Sequence, residues 1–373
     1  MDHGPIIQKP IGEMGKYLKS LIPLNIPQTY ALNPMFDAVA KEQRIRDGIV
    51  AFRDFLYLLC DRLISDGHLY AKPQKNPKSP TNYPFLVNLT ALLTEMGYYG
   101  RLTDNGNSLL IRDLPSCTAS IDEKGKVKLP KISVPKQIEC LRFLALCGLT
   151  FTGIDLEAPK PERSKTEPLE VMFPDNPVML TGLKVMAIAD KKLRVERSRN
   201  DDFFLRCDYR VIKAEDTDPL DMLRDILYPL PEKVRAYALE LHQRYIDRGM
   251  TCVTIVSSFE VHFAYSYLKN SKRVLSSRDI YSLRIWDLAL SINNGYCLFV
   301  RAHNTDKYAE VIETFPLPLQ ETIAKGYGCD RKLRNERCQH GCQGFRIALD
   351  DSALDIGEEI MMWLDPEMRY AIK

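Results

Sequence analysis

The sequence predicts a two-domain α+β protein, and three observations indicate this class. Apolar residues at a 3.6-residue period, which predict amphipathic helices, recur between residues 34 and 248. Short β-branched and aromatic runs beside Asn-Gly turns predict antiparallel strands, above all after residue 250. An acidic, polar stretch at 214–219 is typical of a domain boundary. We therefore expect an N-terminal arm (1–33), a helix-rich domain with small hairpins (34–213), and an antiparallel sheet domain with helices on one face (220–373).

The first 33 residues contain four prolines and no clear apolar period, so we expect an extended arm with at most short helices. The pair Asn33-Pro34 is typical of a helix start, and it predicts a long helix that ends at Asp66-Gly67. After a proline-rich loop, Pro84 predicts the start of a second helix, 85–96. We expect Gly97 to end this helix in the left-handed conformation.

The segments Tyr98–Leu102 and Ser108–Arg112 predict two strands joined by a turn at Asp104–Asn107. Helix, helix, glycine and hairpin is the order of a winged-helix module. The alternative is an α+β subdomain in which the hairpin only covers a core. The second helix, 85–96, has no Lys or Arg and contains Glu95, which argues against DNA readout by this helix.

The order of helix and then strand recurs twice in the same domain. A helix is expected from Ser133 to Cys147, followed by a glycine and a strand at Leu149–Leu156. A third helix is expected at Val178–Ala189, followed by a strand at Phe203–Ile212. Because the spacing varies and little sequence is shared, this is not a solenoid repeat.

The C-terminal domain is predicted to begin with short helix 220–227 and amphipathic helix Pro231–Arg248, followed by a β-rich region. Strands are expected at 251–256, 259–267, 286–292, 296–302 and 345–349. The third of these alternates apolar and small or polar residues, and Asn293-Asn-Gly295 predicts a hairpin turn after it. A short helix ending at Ile292 is the alternative. Further helices are expected after Thr305, at 318–325 and at 358–364.

A glycine-rich stretch, 326–345, concentrates side chains that bind metals. Its Cys329, Cys338, His340 and Cys342 carry the thiol and imidazole groups of a structural zinc site. The spacing supplies one C-x3-C pair, whereas strong zinc motifs use two such pairs. A fourth ligand would then come from elsewhere, and Cys297 and His303 are the candidates. The alternative is a set of thiols packed under a glycine-rich loop.

The same stretch also has features of a reactive thiol. Four cationic residues flank the cysteines, and nearby cations lower the pKa of a thiol. They are Arg331, Lys332, Arg334 and Arg337. A denser basic run lies at Lys191–Arg199. Both basic groups contain acidic residues, which favours solvated surface over a nucleic-acid contact.

Composition limits the classes of function. The chain has 51 Lys and Arg against 49 Asp and Glu, so any nucleic-acid contact would depend on a local patch. The apolar runs are about half the length of a membrane span, and the first residues lack an apolar signal segment, which predicts a cytosolic protein without membrane association. No phosphate-loop, dinucleotide, nucleophile-elbow or metalloprotease motif occurs.

We therefore expect a binding or regulatory protein that engages a macromolecular partner through its N-terminal domain and has a zinc-type C-terminal loop. The alternative is an enzyme whose site is assembled from distant residues and uses thiol chemistry at the C-terminal cysteines.

Overall fold

The computed structural model describes residues 8–72, 83–121, 126–164, 166–193, 203–215, 218–256, 260–266, 284–291, 295–300, 307–325 and 345–371. The fold is α+β, as the sequence predicts. The chain forms two compact units, Met1–Thr217 and Asp218–Lys373. We refer to them as the N-terminal unit and the C-terminal unit.

Helices form most of the regular secondary structure in the described part of the N-terminal unit. They are α1 (Ile11–Leu21), α2 (Glu42–Ser65), α3 (Gly67–Tyr70), α4 (Pro84–Tyr99), α5 (Val134–Leu146) and α6 (Met179–Leu193). The backbones of α2 and α6 are in contact at Gly48 and Gly182. A Cβ added to Gly182 would lie 2.0 Å from the carbonyl oxygen of Gly48. Only glycine at this crossing allows the two helix axes to approach so closely.

A small antiparallel sheet completes the N-terminal unit. Its strands are β1 (Arg101–Leu102), β2 (Ser108–Ile111), β5 (Thr150–Thr152) and β6 (Leu169–Met172), in the order β1-β2-β6-β5. The predicted hairpin of β1 and β2 is confirmed, with Leu102 opposite Leu109. A separate ribbon pairs β3 (Ser120–Ile121) with β4 (Val127–Lys128).

Residues 11–21 form a helix within the segment that is expected to be an extended arm. Helix α1 has eleven residues, and its buried face, which includes Met14 and Leu18, packs on α2. Asn33 accepts a hydrogen bond from the amide of Met35, but it caps a short 3₁₀ turn, Pro34–Phe36, and not the long helix. The long helix begins at Glu42.

Gly97 does not end the second helix, and that prediction is wrong. Helix α4 continues to Tyr99, and a Cβ on Gly97 would lie 2.7 Å from the Cβ of Ala187 on α6. The glycine therefore serves close helix packing. The Nζ of Lys184 donates to the carbonyl oxygen of Gly100 at 2.7 Å and helps to satisfy the end of α4.

The predicted strand at Phe203–Ile212 is also wrong. This segment consists of turns and a 3₁₀ helix, Tyr209–Ile212. Its local hydrogen bonds include Asp208 N–H to the carbonyl oxygen of Phe203. Cys207 has a φ of 48°, which no extended strand contains.

The C-terminal unit contains a five-stranded antiparallel sheet. Its strands are β7 (Thr251–Val256), β8 (Glu260–Ser266), β9 (Arg284–Ser291), β10 (Gly295–Val300) and β11 (Phe345–Ala348), in the order β11-β10-β9-β8-β7. The β9–β10 hairpin is confirmed, with Gly295 opposite Ser291, and the short-helix alternative is wrong. Gly295 has a φ of 62°. The helices are α7 (Pro219–Leu227), α8 (Glu232–Asp247), α9 (Ala309–Ile312), α10 (Leu317–Lys325), α11 (Asp351–Asp355) and α12 (Gly357–Ala371).

Polar contacts hold helices to one face of this sheet. Tyr265 of β8 and Tyr296 of β10 pair with positions 286 and 290 of β9, so both tyrosines lie on the same face. The hydroxyl of Tyr265 lies 2.8 Å from Nδ1 of His242 on α8. The hydroxyl of Tyr296 donates to the carbonyl oxygen of Ile226 on α7 at 2.7 Å. Helices α7 and α8 therefore both contact this face.

Candidate functional site

The predicted metal-binding loop lies outside the described residues. Cys329, Cys338, His340 and Cys342 fall between the end of α10 at Lys325 and the start of β11 at Phe345. The four flanking cations and His303 also fall outside, so the zinc site and the reactive thiol stay predictions. The described part of the chain brings no three potential metal ligands of the His, Cys, Asp or Glu type together.

One proposed additional ligand is within the described residues. Cys297 is buried on β10, where it lies opposite Ala289 of β9 and Ala348 of β11. Strand β11 begins where the predicted metal-binding loop ends. Cys297 is thus on β10, the strand that neighbours β11. Its role as a metal ligand stays a prediction.

The described cysteines of the N-terminal unit are poor nucleophiles. Burial raises the pKa of Cys60, Cys140 and Cys147 to about 12. Burial also raises the pKa of Cys117, to about 11, and that of Cys207. Because the thiolate is the reactive form, these groups are inert near neutral pH.

The segment Leu92–Gly97 of helix α4 has no exposed recognition surface, whereas Tyr99 at the end of the helix is exposed. Every residue from Leu92 to Gly97 is buried, which includes Glu95. The Glu95 carboxylate accepts hydrogen bonds from the Ser116 amide at 3.0 Å and from the Ser116 hydroxyl at 2.6 Å. Glu95 therefore positions the turn after β2 and does not face a partner. DNA readout by this part of α4 is excluded because its side chains are enclosed by the protein.

Two histidines of the C-terminal unit, His242 and His262, are buried. His242 shares a hydrogen bond with Tyr265, and burial lowers its pKa, so the neutral ring is favoured. His262 is also buried, on β8. Both residues are interior groups of the C-terminal unit. Of the basic run Lys191–Arg199, the structure describes Lys191 and Lys192, which are exposed in the last turn of α6, and Leu193.

A surface that sequence reasoning missed extends from β4 into the first turn of α5. We call residues 126–136 the lysine segment. It has four exposed lysines: Lys126, Lys128, Lys131 and Lys136. Three aliphatic side chains between them are exposed as well, Val127 by 61%, Leu129 by 84% and Val134 by 55%. Scattered apolar surface residues are ordinary, but three among four lysines form a mixed cationic and apolar surface.

Two anchors fix the lysine segment to the N-terminal unit. Val127 pairs with Ile121 across the β3–β4 ribbon. Ile132 is buried, and its amide donates to the carbonyl oxygen of Ser116 at 2.8 Å. The exposed residues between these anchors are therefore held on a defined backbone. The same Ser116 is bound by Glu95, which connects the segment to α4.

The charge of the lysine segment is strongly one-sided. Residues 126–136 contain no acidic residue, no arginine and no aromatic residue. The sequence Asp122-Glu123-Lys124 just before it adds one net negative charge. Lys136 acts on the carboxyl group of Glu139 on α5. Burial raises the pKa of Glu139, although Lys72 and Lys136 oppose this effect.

Comparison with protein-family models, with curated proteins and with solved structures finds no match to this chain. None of the helices in the described ranges has the length and apolar content that crossing a membrane requires. The function is therefore inferred from the geometry and charge of the described residues.

The sequence did contain a signal for the lysine segment. Lysines at 126, 128 and 131, with Val127 and Leu129 between them, alternate charge and apolar character over a short run. In a strand such alternation would normally place the apolar residues inward. Only the structure establishes that both kinds of side chain are exposed here.

Proposed function

We propose that this chain is a non-enzymatic binding or regulatory protein whose N-terminal unit engages an acidic polypeptide through the lysine segment. The observation that carries the proposal is the exposure of four lysines together with Val127, Leu129 and Val134 on an anchored backbone. Lysines attract an acidic partner and raise its rate of encounter. Exposed aliphatic side chains add apolar area that becomes buried on binding.

A polypeptide fits this surface better than a nucleic acid does. The planar guanidinium of arginine is favoured over lysine for the recognition of phosphates and nucleic acids, and single strands favour aromatic stacking, but the lysine segment contains neither arginine nor aromatic residues. Helix α4 has no exposed face between Leu92 and Gly97 to enter a groove. The chain as a whole has a formal net charge of only +2.

Site-specific crosslinking tests this proposal. The photoreactive residue benzoylphenylalanine replaces Leu129 in the full-length chain, which is irradiated in an extract of the cells that produce it. The matched control carries the same residue at Leu317, which is 66% exposed in the C-terminal unit. We expect a discrete adduct at position 129, sensitive to protease and resistant to nuclease, and none at 317.

A charge variant identifies the contribution of the lysines. Lys128→Glu together with Lys131→Glu, in the chain crosslinked at 129, is expected to remove most of the adduct because the acidic partner is then repelled. An adduct destroyed by nuclease would favour the nucleic-acid alternative. Absence of any adduct specific to 129 would overturn the proposal.

A structural zinc ion at Cys329, Cys338, His340 and Cys342 is the second part of the proposal. It is supported by the clustering of four ligand groups within fourteen residues. Metal analysis of the purified chain is expected to find about one zinc per chain. Cys338→Ser with Cys342→Ser should release it, whereas Cys117→Ser should not. Zinc far below one equivalent would contradict this assignment.

The alternative function is an enzyme that uses a thiol of the same loop. Because burial raises the pKa of the described N-terminal thiols, such chemistry would depend on the C-terminal cysteines. Labelling with iodoacetamide at neutral pH, resolved by peptide mass, distinguishes the two functions. The enzyme alternative requires at least one of Cys329, Cys338 and Cys342 to react faster than a free model thiol.

A further inference from the structure

A cavity of about 450 Å³ lies in the N-terminal unit, away from the lysine segment in sequence. It is open to solvent on one side and is bordered by the start of α1, the end of α2, α3 and Tyr83, the residue before α4. Its volume lies within the range of small-molecule sites, about 300–1,000 Å³. We call it the α1 cavity.

The α1 cavity combines apolar and cationic lining. Ile11, Ile64 and Ala71 supply aliphatic surface, and Ile11 and Ala71 are buried. Tyr83 closes one side, and its hydroxyl donates to the carbonyl oxygen of Lys9. Burial, with a smaller effect of the Glu13 carboxylate, raises the pKa of Tyr83 to about 12, so this phenol stays neutral.

Among the described residues of the lining, lysines outnumber carboxylates. Lys9 and Lys16 line the cavity, against one acidic residue, Glu13, and His68 lines it as well. The Nζ of Lys16 lies 2.8 Å from Oε1 of Glu13, and this hydrogen bond lowers the pKa of Glu13. Glu13 is therefore ionised at neutral pH. Counted over its lysines and carboxylate, the described lining has a formal charge of +1.

We propose that the α1 cavity binds an aliphatic carboxylate of medium chain length. The aliphatic chain lies against Ile11, Ile64 and Ala71, where it loses contact with water. The carboxylate pairs with the ammonium groups of Lys9 and Lys16. This ligand class matches both the apolar area and the sign of the net charge.

Binding of three probes with the same chain length tests the charge requirement. Octanoate, octan-1-ol and octylamine are titrated into the full-length chain at pH 8 by calorimetry. We expect octanoate to bind, octanol to bind at least about tenfold more weakly, and octylamine not to bind. The proposal is overturned if octanoate does not bind, or if octanol binds as tightly.

A pair of lysine variants on the same helix locates the site. Lys16→Gln reduces the net charge of the lining from +1 to zero, and we expect it to weaken octanoate binding about tenfold. Lys19 is the matched control, because it lies one turn later on α1 and pairs with Asp61 at 2.5 Å but does not line the cavity. Lys19→Gln should change the affinity less than twofold. Equal effects of the two variants would contradict the site.

A cavity-filling variant provides an independent readout. Ala71→Leu places three more carbon atoms in the apolar part of the cavity and leaves every charged residue unchanged. We expect it to abolish octanoate binding, and a melting temperature close to that of the wild-type chain would show that the larger side chain occupies open space and does not overpack the core. Unchanged octanoate affinity in a folded Ala71→Leu variant would place the ligand elsewhere.

Discussion

Two charged segments of the N-terminal unit have opposite environments. The lysine segment, 126–136, exposes all four of its lysines. The segment Arg206–Arg210 buries both of its arginines together with Asp208. The side chain of Asp208 lies between them, 3.1 Å from Nη2 of Arg206 and 2.9 Å from Nη1 of Arg210. We call these three residues the buried ionic cluster.

The buried ionic cluster serves the fold. Charges removed from water are costly unless they are paired, so the arginines and Asp208 fix one another in one geometry. The cluster lies beside Cys207, whose thiol donates to the carbonyl oxygen of Ile49 on α2 at 3.6 Å. Lys213, three residues after Arg210, pairs with Leu32, so the stretch of chain before α2 is bound close to the buried ionic cluster.

The comparison shows that the environment of a charged residue determines its role. A charged side chain that is buried among partners of its own chain stabilises the fold and is not accessible to another molecule. A charge on an exposed, anchored backbone contributes little to stability and is available for a partner. This difference predicts opposite outcomes for substitutions in the two segments.

The largest effect is expected for Asp208→Asn. Removing one partner of a buried ion pair costs about 3–5 kcal/mol, because the remaining buried charges lose their counter-charge. The free energy of unfolding is measured by urea denaturation. Unfolding of the N-terminal unit is followed by labelling of Cys60 and Cys207, which are buried in the folded chain and identified by peptide mass.

A surface aspartate supplies the control for this variant. Asp54 pairs with Arg53 at 2.7 Å, but its side chain is 57% exposed. Asp54→Asn should therefore change the free energy of unfolding by less than about 0.5 kcal/mol. If Asp208→Asn costs no more than Asp54→Asn, the buried ionic cluster does not stabilise the N-terminal unit.

An acid-dependent loss of stability is the second prediction. Burial alone would raise the pKa of Asp208, but Arg206 and Arg210 more than offset this, and the pKa falls below its ordinary value of 3.8. The folded state thus binds this proton more weakly than the unfolded state does. The stabilisation is complete above the ordinary pKa and is lost as the pH falls below it, through the folded value.

The measurement compares the wild-type chain with Asp208→Asn between pH 6 and pH 3. Other carboxylates also titrate, so the difference between the two proteins isolates Asp208. We expect the gap between their free energies of unfolding to be constant down to about pH 4 and to narrow below it. If the difference between the two free energies of unfolding widened as the pH falls, the lowered pKa of Asp208 in the folded state would be contradicted.

The fold was predictable where local pattern and tertiary packing agree. The antiparallel sheet of the C-terminal unit and the β9–β10 hairpin follow from alternation and an Asn-Gly turn. Phe203–Ile212 was misassigned because its aromatic and β-branched content favours a strand. A buried ionic cluster and a positive φ at Cys207 are tertiary features that periodicity does not reveal.

The candidate sites were less predictable than the fold. The lysine segment is continuous in sequence, but exposure of its apolar residues depends on the anchors at Val127 and Ile132. The α1 cavity is assembled from three helices and the residues beside them, and its lining extends from Gln8 to Tyr83. No spacing within the sequence brings Lys16 and Ala71 together, so only the folded chain reveals such a site.

The smallest effect on stability is expected in the lysine segment itself. Lys128→Glu with Lys131→Glu changes the net charge by four units, yet both side chains are exposed, so the free energy of unfolding should change by less than about 1 kcal/mol. Urea denaturation with the same cysteine labelling makes this value comparable with that of Asp208→Asn. A decrease of about 3 kcal/mol in the free energy of unfolding would mean that these lysines stabilise the fold. The proposed difference in role between the two segments would then be wrong. A small decrease in the free energy of unfolding, combined with disappearance of the crosslink at position 129, would mean that these lysines act in partner binding and not in folding.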